Sequence, residues 1–153
     1  KVPLAPSEMV ALPGEYQYRD TVEYHSELLL QGRKPREICA GDRGTDRTTQ
    51  RWLRKAVESL RFRPATHRRA SLELMAGYGR NLPAYRHQFG ETILVDACRR
   101  MVDLIPDYVP QENRVCSLVE DYAYPANRFD LVLGVFCLCY LDKEAIDQLL
   151  GKC

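Results

Sequence analysis

At 153 residues, with 45% hydrophobic and 28% charged residues, the chain suits one globular domain with a sizeable core. No apolar run reaches the length of a membrane-spanning helix, which excludes that class. The formal net charge of +1 argues neither for nor against nucleic acid, since a local basic patch can hide under a neutral total. The chain opens K-V-P-L without an initiating Met, which suggests processing or trimming, and nothing there reads as a signal peptide.

The six cysteines are Cys39, Cys98, Cys116, Cys137, Cys139 and Cys153. Several lie in apolar, strand-like runs, where a free thiol behaves as a small hydrophobe. They are read as free thiols of a reducing, intracellular compartment rather than as disulfide staples. Cys137-x-Cys139 is too tightly spaced for the usual zinc pairing. None of His25, His67 and His87 stands near a second cysteine pair, so no metal site is expected.

In chain order, Lys1 to Gly14 has three prolines and no periodicity and reads as an extended arm. Glu15 to Leu30 is tyrosine-rich and becomes helical in pattern. Gln31 to Arg47 holds Gly32, Pro35, Gly41 and Gly44 among many charges and reads as a loop. Residues 1–47 thus form an arm, a helix and a loop, ahead of a domain spanning 48–153. That domain is led by Thr48 to Phe62, an amphipathic helix with Thr48 as its expected N-cap. Trp52, Leu53, Ala56, Val57 and Leu60 recur at three- and four-residue steps and predict one apolar stripe. Arg51, Arg54, Lys55 and Arg61 lie on the other face. With Arg63, His67, Arg68 and Arg69 they make a basic stretch. It reads as a solvated face and linker, with nucleic acid as the less favoured alternative because no aromatic residues interleave with the arginines.

Ser71 to Gly79, S-L-E-L-M-A-G-Y-G, is the stretch that organises the rest. A short apolar strand carrying Glu73 runs into a turn with Gly77 and Gly79, then into a segment that starts a helix over Asn81 to Phe89. Pro83 fits that helix only in its first turn. Strand, glycine turn and helix in that order bring backbone N–H groups close to a nucleotide-like ligand, where a Cβ would interfere. Thr92 to Asp96 is a second strand, ending in an acid placed to accept from ribose hydroxyls. Cys98 to Ile105 reads as a short helix closed by Pro106. Val115 to Asp121 predicts a third strand, ending in Glu120 and Asp121; a solvated strand end is the alternative for these acids. Phe129 to Phe136 predicts a fourth, buried on both faces. Asp142 to Leu150 predicts an amphipathic helix with Asp142 as N-cap and Gly151 near its end. The alternation predicts an α/β fold: a doubly wound, mainly parallel sheet.

E-L-M-A-G-Y-G-R (Glu73 to Arg80), L-V-D-A-C-R-R-M (Leu94 to Met101), Glu120 with Asp121, and F-D-L-V-L-G-V-F-C-L-C-Y-L (Phe129 to Leu141) together resemble class I, Rossmann-like S-adenosylmethionine-dependent methyltransferases. The order and spacing agree from Ser71 to about Leu150, a little over half the chain. Met75 departs from the family pattern, standing where its first glycine would. A looser likeness, to the branch that methylates protein N-termini, rests on the block after the fourth strand. The resemblance implies S-adenosylmethionine as cofactor. Glu73, Gly77 and Gly79 would contact its methionine part and Asp96 its ribose. Asp121 with Glu120 would sit by the adenine amine, and Met101 and Val119 would flank the ring. Tyr140 is the acceptor-side candidate. Tyr16, Tyr18 and Tyr24 either line a ligand mouth or pack the arm onto the core, the second being preferred. Only about four strands of the family's fuller sheet are supplied, so a partner protein or further chain is expected to cover the open edge. The function implied is methyl transfer to a protein, RNA or small molecule; the alternative is an inactive methyltransferase-like subunit of a larger assembly. A nucleotide-dependent oxidoreductase fits less well, because the turn lacks a third glycine.

Overall fold

A computed structural model describes residues 18–39, 43–60, 62, 68–135 and 141–152. Helices α1 (Tyr18–Leu30), α2 (Pro35–Cys39) and α3 (Arg43–Ser59) precede the sheet. Then come β1 (Ala70–Leu74), α4 (Leu82–Tyr85), β2 (Glu91–Asp96), α5 (Arg99–Val102), β3 (Arg114–Cys116), β4 (Leu131–Gly134) and α6 (Lys143–Lys152). The four strands pair in the order β3-β2-β1-β4. Every pairing is parallel, with Leu74 opposite Val95 and Gly134. The chain works outward from β1 to β2 and β3, then crosses back to lay β4 on the other side of β1. The strand order reverses there, and the crevice beyond the carboxyl ends of β1 and its neighbours is where α/β proteins of this order bind ligands.

Burial follows the alternation of the strands. Leu72 and Leu74 of β1 share a face with Ile93 and Val95 of β2, and pack with Val119 and with Leu149 of α6. Leu94 faces the opposite layer, with Leu53 and Val57 of α3 and Leu82 and Tyr85 of α4. Glu73 pairs in register with Leu94 and so shares that second face. All five residues of β1 are buried, as a central parallel strand requires.

Several boundaries depart from the sequence-based expectations. The leading helix begins at Arg43, so Thr48 is interior and not the N-cap. The expected loop over 31–47 contains α2, which opens on Pro35, a residue suited to a first helical position. The apolar stripe is narrower than expected: Leu53 and Val57 are buried, whereas Trp52 is 64% exposed and Leu60 46%. The third strand stops at Cys116, because the chain turns at Leu118, whose carbonyl accepts from the N–H groups of Asp121 and Tyr122. Glu120 and Asp121 therefore stand in a turn and not at a strand end. The fourth strand is half-buried rather than covered on both faces, and among the described residues it is an edge strand, paired with β1 alone. α5 ends at Val102, leaving Leu104 48% exposed. The helix after the glycine turn is a single α-turn continued as 3₁₀ over Arg86–Gln88, with Pro83 in its first turn. The carboxylate of Asp142 accepts from the Ala145 N–H at 2.8 Å, the N-cap expected for α6.

Candidate functional site

Three residues of the turn after β1 lie in the left-handed region: Met75 (φ 51°), Gly77 (φ 57°) and Gly79 (φ 76°). The alternating x-Gly-x-Gly reading thus extends to Met75, which takes the backbone conformation of a glycine at a cost of about 1 kcal/mol. Gly79 is required for a second reason: a Cβ there would come within 2.9 Å of Leu82 Cδ1 and 3.3 Å of Leu94 Cδ1.

The two acids expected at this end of the sheet have different surroundings. Asp96 is 8% exposed. Its Oδ2 accepts from the Gly77 N–H and its Oδ1 from the Cys98 N–H, each at 2.8 Å. The end of β2 and the glycine turn that continues β1 are thereby joined side by side. Burial pushes its carboxyl up in pKa, and the two N–H donors oppose this. Glu73 is 1% exposed, and both of its oxygens are engaged inside the protein. Oε1 accepts from Asn81 Nδ2 and Oε2 from the Tyr85 hydroxyl, both at 2.7 Å. Burial raises its pKa too, against the pull of those two hydrogen bonds and the Arg80 charge, with the Asp96 carboxylate adding to the rise. The Tyr85 phenol is raised well above its ordinary value, first by its own burial and then by the Glu73 charge.

Sequence reasoning missed Asn81 and Tyr85, although four-residue spacing places both on one side of a helix. It also missed Gln50 of α3, whose Nε2 donates to the Arg80 carbonyl at 2.6 Å.

The remaining candidates divide. Met101 and Val119 are both 1% exposed. Val119 packs against Leu149 in the core. Glu120 and Asp121 are exposed, and the Glu120 carbonyl accepts from Lys152 Nζ of α6 at 2.8 Å. Tyr24 is 47% exposed, in ring contact with His25. Tyr16, Tyr140 and the side chain of Tyr18 lie outside the described residues. Two residues of the basic stretch have partners within the protein. Arg54 donates to the Pro83 carbonyl at 3.3 Å, and the Arg69 guanidinium lies over the Phe62 ring. Arg61, Arg63 and His67 are outside the described residues. Cys98 and Cys116 are free thiols; Cys137, Cys139, Cys153 and the Cys39 side chain are not among those described.

Two cavities adjoin the carboxyl ends of the strands. One, of about 370 Å³, is lined by Thr48, Thr49 and Trp52 of α3 with Gly134 and Val135 at the end of β4. The other, of about 520 Å³, lies between Val22, Glu23 and Ser26 of α1 and the segment Ala97 to Arg100 with Asp103, directly after Asp96. Among the described residues no helix is long and apolar enough to cross a membrane. Nor does any group of His, Cys, Asp and Glu among them form a metal site.

Residues 72–153, which carry the glycine turn, Asp96 and β4, match the profile of a methyltransferase domain family. The chain belongs to that family. Its fold is shared with an S-adenosylmethionine-dependent methyltransferase from Leishmania major, at 17% identity and a TM-score of 0.73, over 89% of this chain and 55% of that one. The plantazolicin methyltransferase BpumL, solved with SAH, aligns at 14% identity and a TM-score of 0.51, over 87% of this chain and 58% of its own. At these identities the likeness is one of fold, and this methyltransferase domain spans a little over half the length of either relative. No curated protein sequence matches the chain.

Proposed function

We propose that this chain binds S-adenosylmethionine and forms the donor-binding part of a methyltransferase. One observation carries the reading: the Asp96 carboxylate meets the Gly77 N–H at 2.8 Å, so an acid and a glycine turn nineteen residues apart form one surface. That surface lies at the switch point of the sheet. The residues fit the cofactor. Each oxygen of Asp96 spends one lone pair on a backbone N–H and keeps another for a hydroxyl donor. Gly77 presents its backbone with no Cβ, while Gly79 lets the turn close over Leu82 and Leu94. On this reading Asp96 holds the ribose and the glycine turn the methionine part. Met101 backs the adenine side, and the exposed Glu120 and Asp121 accept from the adenine amine. When bound, S-adenosylmethionine supplies a methyl group on a positively charged sulfur. The chain's own contribution is to hold donor and acceptor in line, a demand met by position more than by acid-base chemistry.

The cleft beside Trp52 and Gly134 is the entry assigned to the acceptor, with Tyr140 kept as the candidate on that side. Protein, RNA and small-molecule acceptors are the classes to screen. The half-buried β4 favours a second reading, in which an inactive methyltransferase-like subunit is docked through this edge into an assembly. Calorimetric titration with S-adenosylmethionine separates the two. Binding at about micromolar Kd is expected, with loss in Asp96→Ala that circular dichroism shows to be folded. A folded chain that binds none would sink the donor reading and leave the second.

A further inference from the structure

The turn between β1 and α4 is a chain of left-handed residues, Met75, Gly77 and Gly79, that a free peptide would not hold. It is pinned from three directions. On the β2 side the Ala76 N–H reaches the Val95 carbonyl at 3.0 Å and the Gly77 N–H reaches Asp96. On the α3 side Gln50 holds the Arg80 carbonyl. On the α4 side the Leu82 N–H donates to the Gly79 carbonyl at 3.2 Å, and two side chains tie this exit back to β1: Asn81 and Tyr85 both donate to Glu73. Glu73 departs from β1 just before the turn, and Asn81 follows just after it, so the carboxylate closes the turn into a ring.

This arrangement is costly unless it serves geometry. A carboxylate 1% exposed and held by Asn81 and Tyr85 carries a desolvation cost that an apolar side chain of its size would not. Two hydrogen bonds of fixed direction, however, select one conformation where an apolar contact selects a range. Each oxygen also keeps one lone pair, but at this burial a ligand reaches it only by displacing protein. Glu73 is thereby better suited to hold the turn than to touch what the turn holds.

We propose that Asn81 and Tyr85 are positioning residues for the donor site: by locking Glu73 they keep the Met75–Arg80 turn in its ligand-ready form before any ligand arrives. This rests on the donor-binding reading above, but the first measurement does not. In the free protein, amide hydrogen exchange of Ala76, Gly77 and Gly79 is expected to rise about tenfold in Tyr85→Phe, the loss of one hydrogen bond to a charged group. Exchange within β1 and β2 should not change. In calorimetry the same variant is expected to bind S-adenosylmethionine about tenfold more weakly. Glu73→Ala should expose the turn amides. Glu73→Gln should restore most of their protection, since a glutamine can accept from Tyr85 and pair with a flipped Asn81. Unchanged turn exchange in Tyr85→Phe, or a rise spread evenly over the sheet, overturns the proposal. So does a Glu73→Gln variant with protected turn amides that binds as poorly as Glu73→Ala, because Glu73 would then touch the cofactor itself. If the unaltered chain binds no S-adenosylmethionine, the donor reading fails and the exchange data alone still decide this one.

Discussion

The two ends of the ligand crevice are built on opposite principles. At β1 and β2 nearly every polar group has a fixed partner: Glu73 has two, Asp96 has two, and the glycine turn between them is held to both neighbours. At β4 and α3 an indole stands 64% exposed over an apolar cleft, and Leu131 to Leu133 are only half covered. A site that binds one invariant ligand gains from rigidity, because little ordering remains to be done on binding. A site that receives a separate molecule, or the rest of an assembly, must leave its apolar surface available. On the proposed reading the first end takes the donor and the second takes the acceptor or a partner.

The largest effect that would sharpen this contrast comes from two adjacent residues of α3. Leu53→Ala should cost about 3 kcal/mol, as for a large side chain removed from a packed core. Trp52→Ala should fall within about 0.5 kcal/mol of the parent, despite the greater loss of volume, because Trp52 packs against little. Urea unfolding of both variants measures it, and a large loss in Trp52→Ala would show that the cleft end is as closed as the other.

A smaller effect concerns pH. Burial raises the Glu73 and Asp96 carboxyls above their ordinary values, so the folded chain keeps protons that the unfolded chain has already released. Stability should therefore decline as pH climbs from the ordinary carboxylate range, near 4, through the raised native values, and level off above them. Glu73→Gln removes one of the two groups and should make that decline shallower while leaving the part due to Asp96. Unfolding titrations between about pH 4 and 7 read the difference; an unaltered slope would mean that Glu73 is not held as described.

The smallest effect is expected at Met75. Replacing it by glycine relieves about 1 kcal/mol of left-handed strain. It also loses the side-chain contact with the layer beneath α6 and loosens the unfolded chain. The net change should be under about 1 kcal/mol, and a thermal melt is enough to see it. A loss well beyond that would mean that the methionine side chain, and not the backbone, secures this corner.

Much of the β1–β2 end was legible in the residues. β1, the glycine turn and β2 depend on alternation and on which residues tolerate positive φ, and both are local properties. Asp96 comes beside the turn because the two parallel strands that carry them are neighbours. The same reasoning overextended β3 and β4, since an apolar run such as Val115 to Val119 keeps its pattern after the chain has left the sheet. It also put Trp52 in a core stripe, because helical spacing says which residues share a face but not how wide the neighbouring element is.

Sequence alone determined the alternation of strands and helices from β1 onward, the glycine turn and the acid at the end of β2, because each is set by residues within a few positions of one another. Only the tertiary structure decided that Glu73 is engaged by Asn81 and Tyr85, that Gln50 reaches across thirty residues to the turn, and that Trp52 is left over a cleft. Those outcomes depend on how far β1, α3 and α4 stand from one another once packed, and that distance is written in no single stretch of the chain.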